Sequence, residues 1–282
     1  MQGLRRVFLF GLAILPVAIT TAFFAPASAG VTTPPRLGSA VFRWGEMPLT
    51  PSATGGRRDV ANQPTATLEN LECHVSTLNP GLTSHPPHRH PQEEFILIQE
   101  GTVEVHLNGT AQRASAGELL FFAANDLHNL TNVGDTPATY LVFQLTTAAT
   151  HAVPPEGALA AARPGMLASG VYRWDKAAVE AAKTGERRPV CDSPTLTLTH
   201  FACHETILNP GEAPHASHHH PDEEIVAVIE GSLQVEFNGV VQRAGPDSII
   251  FFGSNDEHGM KNVGTTPAAY YVFRIATAAT PK

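Results

Sequence analysis

From about residue 65 onward the chain is a succession of short runs rich in Val, Ile, Leu, Phe and Thr, separated by Asn-Gly or Pro-Gly steps. Side chains alternate faces along a strand, and β-branched and aromatic residues suit a pleated surface, so these runs predict β-strands. The clearest are Phe95–Ile98, Val103–Leu107, Glu118–Phe122 and Thr139–Leu145, then Ile225–Ile229, Leu233–Phe237, Ser248–Phe252 and Ala269–Ile275. Asn108-Gly109 and Asn238-Gly239 each lie just after such a run, which predicts a tight hairpin. Ala177–Lys183 predicts a short peripheral helix; its counterpart near Met47–Ala53 carries two prolines and does not. Many short strands with tight turns predict an all-β chain, a sandwich or small barrel.

The pattern occurs twice. Residues 41–150 align with 171–280 without a gap, at an offset of 130 residues, and roughly 45% of the aligned positions are identical, which marks an internal duplication. Val41-Phe42-Arg43-Trp44 returns as Val171-Tyr172-Arg173-Trp174, Arg57-Arg58 as Arg187-Arg188, and Asn79-Pro80-Gly81 as Asn209-Pro210-Gly211. Two copies of this length predict two similar domains, residues 30–150 and 170–282, joined by a linker over 151–169 rich in Pro, Ala and Gly.

The first 29 residues break the pattern. Arg5-Arg6, an apolar core over Val7–Ile19 and the small residues Ala27-Ser28-Ala29 before Gly30 predict a cleaved signal peptide. Arg5-Arg6-Val7-Phe8-Leu9 also resembles a twin-arginine address, with Leu4 where Ser or Thr is usual. The expectation is a secreted or periplasmic protein with no membrane association after cleavage. Net charge is -8, and loss of Arg5 and Arg6 leaves 16 basic residues against 26 acidic, a net -10. That balance argues against a nucleic-acid partner, which needs a basic face. Three cysteines, Cys73, Cys191 and Cys203, are too few for a disulfide scaffold. Cys73 and Cys203 read as buried thiols, and Cys191 as free or paired with Cys203.

Candidate chemistry lies in one stretch, His88-Arg89-His90-Pro91-Gln92-Glu93-Glu94, which returns as His218-His219-His220-Pro221-Asp222-Glu223-Glu224. If the stretch is a strand, His88, His90 and Glu94 share one face. Glu93 and Glu223 then alternate to the other face and are expected to be solvated. His128 and His258, two hairpin-like strands further on, can return beside the first three. Imidazole nitrogens plus a carboxylate suit divalent first-row metals. One of each Cys-His pair must face inward, so His74 and His204 either hydrogen-bond ligands or substrate or point outward into solvent; His85 and His215, three residues before the first ligand, are further candidates for such hydrogen bonds. Arg57-Arg58 and Arg187-Arg188 read as surface or inter-domain salt bridges, or as anion attractors at a site mouth.

At these residues the chain resembles the cupin superfamily. Gly81…His88-x-His90-x3-Glu94-x6-Gly101 is similar to the first cupin motif and Gly117…His128-x3-Asn132 to the second. The second copy matches through Gly211, His218, His220, Glu224, Gly231, His258 and Asn262, with Asp247 in place of Gly117. The resemblance implies a bicupin of two tandem jelly-roll β-barrels. It implies one divalent metal per barrel, two per chain, on His88, His90, Glu94 and His128 and on His218, His220, Glu224 and His258, with two coordination positions open. Mn or Fe is favoured, with Ni, Cu and Zn also known across cupins. There is partial resemblance to germin-type oxalate oxidases, which space the Glu one residue further, and to oxalate decarboxylases. In the latter an arginine stands where this chain has His85 and His215, and a histidine offers neither a fixed charge nor a bidentate fork.

These readings predict an exported metal-dependent oxidoreductase, dioxygenase or decarboxylase acting on a small organic acid or oxygenated compound, and capable of homo-oligomerising. Two alternatives stand beside it: a non-catalytic metal or small-ligand binding and storage module, and a Lewis-acid isomerase acting on carbohydrate.

Overall fold

A computed structural model of the chain describes residues 35–154 and 164–282. The predicted signal peptide and the middle of the predicted linker lie outside the described residues. Among the described residues no helix is long and apolar enough to cross a membrane.

The first copy contributes β1 (Ala40–Arg43), β2 (Thr50–Ser52), β3 (Gly55–Gln63), β4 (Asn70–Leu78), β5 (Glu93–Glu100), β6 (Thr102–Leu107), β7 (Thr110–Ser115), β8 (Leu119–Phe122), β9 (His128–Asn132) and β10 (Ala138–Thr146). The second contributes β11 (Gly170–Tyr172), β12 (Glu180–Ala182), β13 (Gly185–Ser193), β14 (His200–Leu208), β15 (Glu223–Glu230), β16 (Leu233–Phe237), β17 (Val240–Ala244), β18 (Ser248–Phe252), β19 (His258–Asn262) and β20 (Ala268–Ala276). Every strand predicted from sequence is present. The Asn-Gly turns adopt the required conformation, with φ of 47° and 84° at Asn108 and Gly109 and 48° and 77° at Asn238 and Gly239.

The strands form two jelly-roll sandwiches. A seven-stranded sheet ordered β11-β8-β5-β10-β4-β3-β2 faces a three-stranded sheet β7-β6-β9, and β1-β18-β15-β20-β14-β13-β12 faces β17-β16-β19. The short strand that opens each copy is exchanged. β1 pairs with β18 of the second copy, and β11 with β8 of the first. The exchange accounts for the Gly117 to Asp247 difference. Gly117 has φ +84°, and a Cβ there would lie 2.6 Å from the Trp174 indole nitrogen brought in beside β11. At Asp247 it is the incoming Gly45 that leaves room, since a Cβ on Gly45 would lie 2.5 Å from the Asp247 carboxylate.

The central strands are apolar on both faces. Along β5, Ile96 and Ile98 point into the sandwich with Val103, Val105, Phe122 and Val142. Phe95 and Leu97 point the other way, into a core shared with the second copy. There Phe95 stacks on Phe201 with ring centroids 3.9 Å apart. Cys73 and Cys203 are buried in the same core, and Cys191 lies opposite Cys203 in the β13–β14 register; all three are free thiols.

Three expectations are corrected. Ala177–Lys183 is not helical: a 3-10 turn over Trp174–Lys176 leads into β12, which pairs with β13 through the Lys183–Thr184 turn. Local helix propensity yields to the hairpin, because a seven-residue stretch is too short to hold a helix without packing and its backbone pairs with β13 instead. Between Glu94 and His128 there are three strands, β6, β7 and β8, not two. Glu93 and Glu223 are not solvated but fully buried. They share the outward face with Phe95 and Ile225, and that face is covered by the other copy. Thr195 Oγ1, Thr197 Oγ1 and the Leu196 N–H donate to Glu93, and Thr65 Oγ1 and the Thr67 N–H donate to Glu223. Burial pushes the carboxyls of both glutamates up, against the pull of these donors.

Candidate metal centres

Inside each sandwich three histidines converge. His88, His90 and His128 have ligand atoms within 4.8 Å of one another, as do His218, His220 and His258, and each trio could hold a metal ion. Strand alternation accounts for only part of this convergence. β5 begins at Glu93, so Glu94 is the one first-motif residue whose direction follows from strand alternation. His88 and His90 precede the strand, in a segment that bends at Pro91-Gln92. Their placement comes from backbone pairing: the His88 and His128 N–H and carbonyl groups exchange hydrogen bonds of 3.2 and 3.1 Å, and His218 and His258 do the same at 3.0 and 2.8 Å.

Four of the six rings are then aimed by a second contact, while His218 Nδ1 is buried without a partner. His90 Nδ1 donates to the Gln92 carbonyl at 2.9 Å, and His128 Nδ1 to the Asp126 carbonyl at 2.8 Å. His220 and His258 repeat this with the Asp222 and Asp256 carbonyls at 3.0 and 2.8 Å. A carbonyl only accepts, so Nδ1 carries the proton and Nε2 keeps its lone pair facing the cluster. Phe122 stacks on His128 and Phe252 on His258, both with centroids 4.3 Å apart, which fixes the ring planes. The Nε2 atoms of His90, His128 and His258 are buried with no hydrogen-bond partner. A buried polar atom without a partner costs roughly 1–3 kcal/mol, which a metal bound to these lone pairs would remove. The donor set therefore fits a divalent transition metal.

Glu94 completes the first group. Its carboxylate lies 3.5 Å from His90 Nε2 and 3.8 Å from His128 Nε2, and Gln144 Nε2 donates to it at 2.6 Å. Burial works to raise the Glu94 carboxyl, but His90, His128 and Gln144 together hold it at about 2. Burial also pulls His128 down to about 4, despite the Glu94 charge. Glu224 lies 3.4 Å from His220 Nε2 and is likewise lowered, His220 and His258 overcoming its burial. Asn132 and Asn262, the last residues of the second motif, point away: each donates to two backbone carbonyls and ties the turn after its strand.

Each trio opens into a cavity, about 320 Å³ in the first copy and about 400 Å³ in the second. His74 and His204 line them, so the histidine of each Cys-His pair is the inward member. His85 and His215 stand at the mouths, their rings 4.1 and 4.2 Å from those of His88 and His218. Arg57 and Arg187 also line the cavities; Arg58 and Arg188 instead lie over the Trp44 and Trp174 rings. Sequence reasoning missed Gln144 and Arg274, equivalent residues on β10 and β20. Their register opposite Glu94 and Glu224 puts them in the same inward row, and the alternation Tyr140, Val142, Gln144 could have placed them.

Solved structures with this architecture include an oxalate decarboxylase from Lactobacillus farciminis in a formate complex, 14% identical with TM-score 0.66, the match covering 86% of this chain and 88% of that one. The S161A mutant of Bacillus subtilis oxalate decarboxylase is 15% identical with TM-score 0.62, covering 86% and 78%. AerE from Microcystis aeruginosa is 14% identical with TM-score 0.62, covering 81% and 97%. At these identities the likeness is one of fold. No curated protein matches the sequence. The cupin domain family model matches residues 74–144 and again 204–274, half of the chain in all and both of its histidine clusters, so the chain belongs to the cupin family, as a bicupin.

Proposed function

We propose that the chain is an exported metal-dependent enzyme holding one divalent ion per copy, on His88, His90, Glu94 and His128 and on His218, His220, Glu224 and His258. It acts on a small organic acid or oxygenated compound by oxidation, dioxygenation or decarboxylation. The observation that carries the reading is the set of buried Nε2 lone pairs without partners, each aimed by an Nδ1–H bound to a backbone carbonyl. Mn or Fe is favoured by family resemblance. When bound, such an ion supplies Lewis acidity toward a substrate oxygen and, if redox-active, an electron path. The chain supplies the rest. Phe122 and Phe252 with the apolar sandwich walls exclude water, and Glu94 and Glu224 hold charge against the ion. His74, His204 and the mouth residues His85 and His215 stand within reach of a substrate in the cavity. Open cavities of this size favour a site that admits a small molecule over one that only stores metal.

Elemental analysis of the purified protein should give about two equivalents of transition metal per chain. The double variant His128→Ala, His258→Ala should lose both and all turnover on a panel of organic acids assayed under air and under nitrogen. Absence of metal from folded protein would refute the assignment. Stoichiometric metal without turnover would leave the storage reading standing in its place.

A further inference from the structure

The two cavities carry the same histidine cluster in different electrostatic settings. In the first, Arg57 is already committed: Nε donates to Asp59 at 2.6 Å and Nη2 to Glu72 at 2.5 Å. The same Glu72 carboxylate accepts from His74 Nδ1 at 2.8 Å, and Gln144 gives its amide to Glu94. The donors of that wall are thus held by carboxylates of the chain itself.

In the second copy Arg187, His204 and Glu224 are kept but three of these positions have changed. Pro189 replaces Asp59, Ala202 replaces Glu72, and Arg274 replaces Gln144. Arg274 lies in the sheet between Glu224 on one side and Ala202 on the other, the two register partners of its Cα. With the side chain of Glu72 gone, the cavity reaches further, to Asp192 and His200. Arg187 keeps only an exposed pair with Glu180 at 2.7 Å, which water screens and an incoming anion can displace. Arg274 is held through Nη2 by Asp222 at 2.5 Å, while its Nε is buried without a partner. His204, freed from the carboxylate that holds His74, faces the same space. Two other acids line this cavity, Glu186 and Asp192; both are solvent-facing and paired, with Arg188 and His200.

We propose that the second cavity alone takes an anionic ligand: the carboxylate of a small organic acid is received by Arg274 and Arg187 beside the His218, His220 and His258 cluster, while Glu72 closes the first cavity to anions. A guanidinium offers the fork that fits a carboxylate, which a glutamine cannot replace. The two copies therefore divide in role: Arg274 is a specificity-determining residue, and the first copy accepts neutral ligands or water. The proposal rests on the metal reading above.

The test is calorimetric titration of the metal-loaded full chain with acetate and with oxalate, after metal content has been measured on the same sample. The expected result is one anion per chain. Arg274→Gln and, separately, Ala202→Glu should each weaken binding at least tenfold with both metals retained, and Gln144→Arg together with Glu72→Ala should raise the stoichiometry toward two. Two metals with either no anion bound or two bound in the unaltered chain would overturn this inference and leave the metal reading intact. So would unchanged affinity in Arg274→Gln. A folded chain that binds no metal would overturn the metal reading, and this inference with it.

Discussion

At the scale of single residues, the lone pairs that make a metal site are set by what the opposite ring nitrogen touches. His128 and His258 are aimed by carbonyls two residues earlier in their own chain, so the site needs little beyond local backbone geometry once the strand is placed. His204 shows the opposite case, a histidine in the cavity whose neighbouring carboxylate has been deleted. Burial, then the Arg187 charge, pull it down to about 4. A histidine held below its unfolded value of about 6.5 contributes stability that is full above pH 6.5 and is lost as pH falls toward 4, because only the unfolded chain takes up the proton in that window. The loss from this residue is at most roughly 3 kcal/mol. Denaturant titrations between pH 7 and 4 should therefore show a shallower fall in His204→Gln than in the unaltered chain. Equal slopes would mean that His204 is not held neutral. The histidine trios at this scale were legible in sequence, because two histidines and a later histidine recur at fixed spacing in both copies. Arg274 was not, since its importance depends on Ala202 and Pro189 across two strands, and no local pattern links the three.

At the scale of elements, β5 and β15 each carry adjacent glutamates with opposite roles. Strand alternation sends Glu94 into the sandwich and Glu93 out of it, and it correctly separates them. What alternation cannot say is whether the outward face meets water or protein. Here it meets the loop before β14, where two threonine hydroxyls and two backbone N–H groups close on Glu93. The neighbouring Phe95, stacked on Phe201, was the available hint that this face is covered. Glu93→Ala would strand these donors in a dry interface, and the expected loss is on the order of 3 kcal/mol or more by chemical denaturation. Glu93→Gln keeps an acceptor and should cost less. Burial raises the Glu93 carboxyl, so for this acid the proton is held more tightly in the folded state. Its contribution is greatest below the unfolded value and declines as pH rises through the folded one. The gap between Glu93→Gln and the unaltered chain should accordingly narrow with rising pH; a widening gap would show that the buried carboxylate is favoured as the anion.

At the scale of the whole molecule, the duplication visible in sequence predicts two similar domains, and the sheets tie the two copies together. β1 completes the second sheet and β11 the first, and the exchanged residues Trp44 and Trp174 pack against the core between the copies. That core is assembled from both seven-stranded sheets, with Phe95, Phe121 and Phe143 meeting Phe201, Phe251 and Phe273. Exposing either sheet alone would leave these rings in water at about 1.5–3 kcal/mol per large side chain. It would also leave Glu93 or Glu223 without the donors supplied by the other copy. Separation of the copies is therefore opposed by apolar area, by two exchanged strands and by two buried carboxylates at once, more than the typical 5–15 kcal/mol stability of a single domain could offset. The metal-loaded chain should unfold in one calorimetric transition, with the van't Hoff enthalpy equal to the calorimetric enthalpy. Removing the ion from one copy by His88→Ala should lower the midpoint of that single transition without splitting it. Two resolved transitions, one shifted by His88→Ala and the other not, would show that the copies are thermodynamically separate and that the strand exchange contributes little to holding them together.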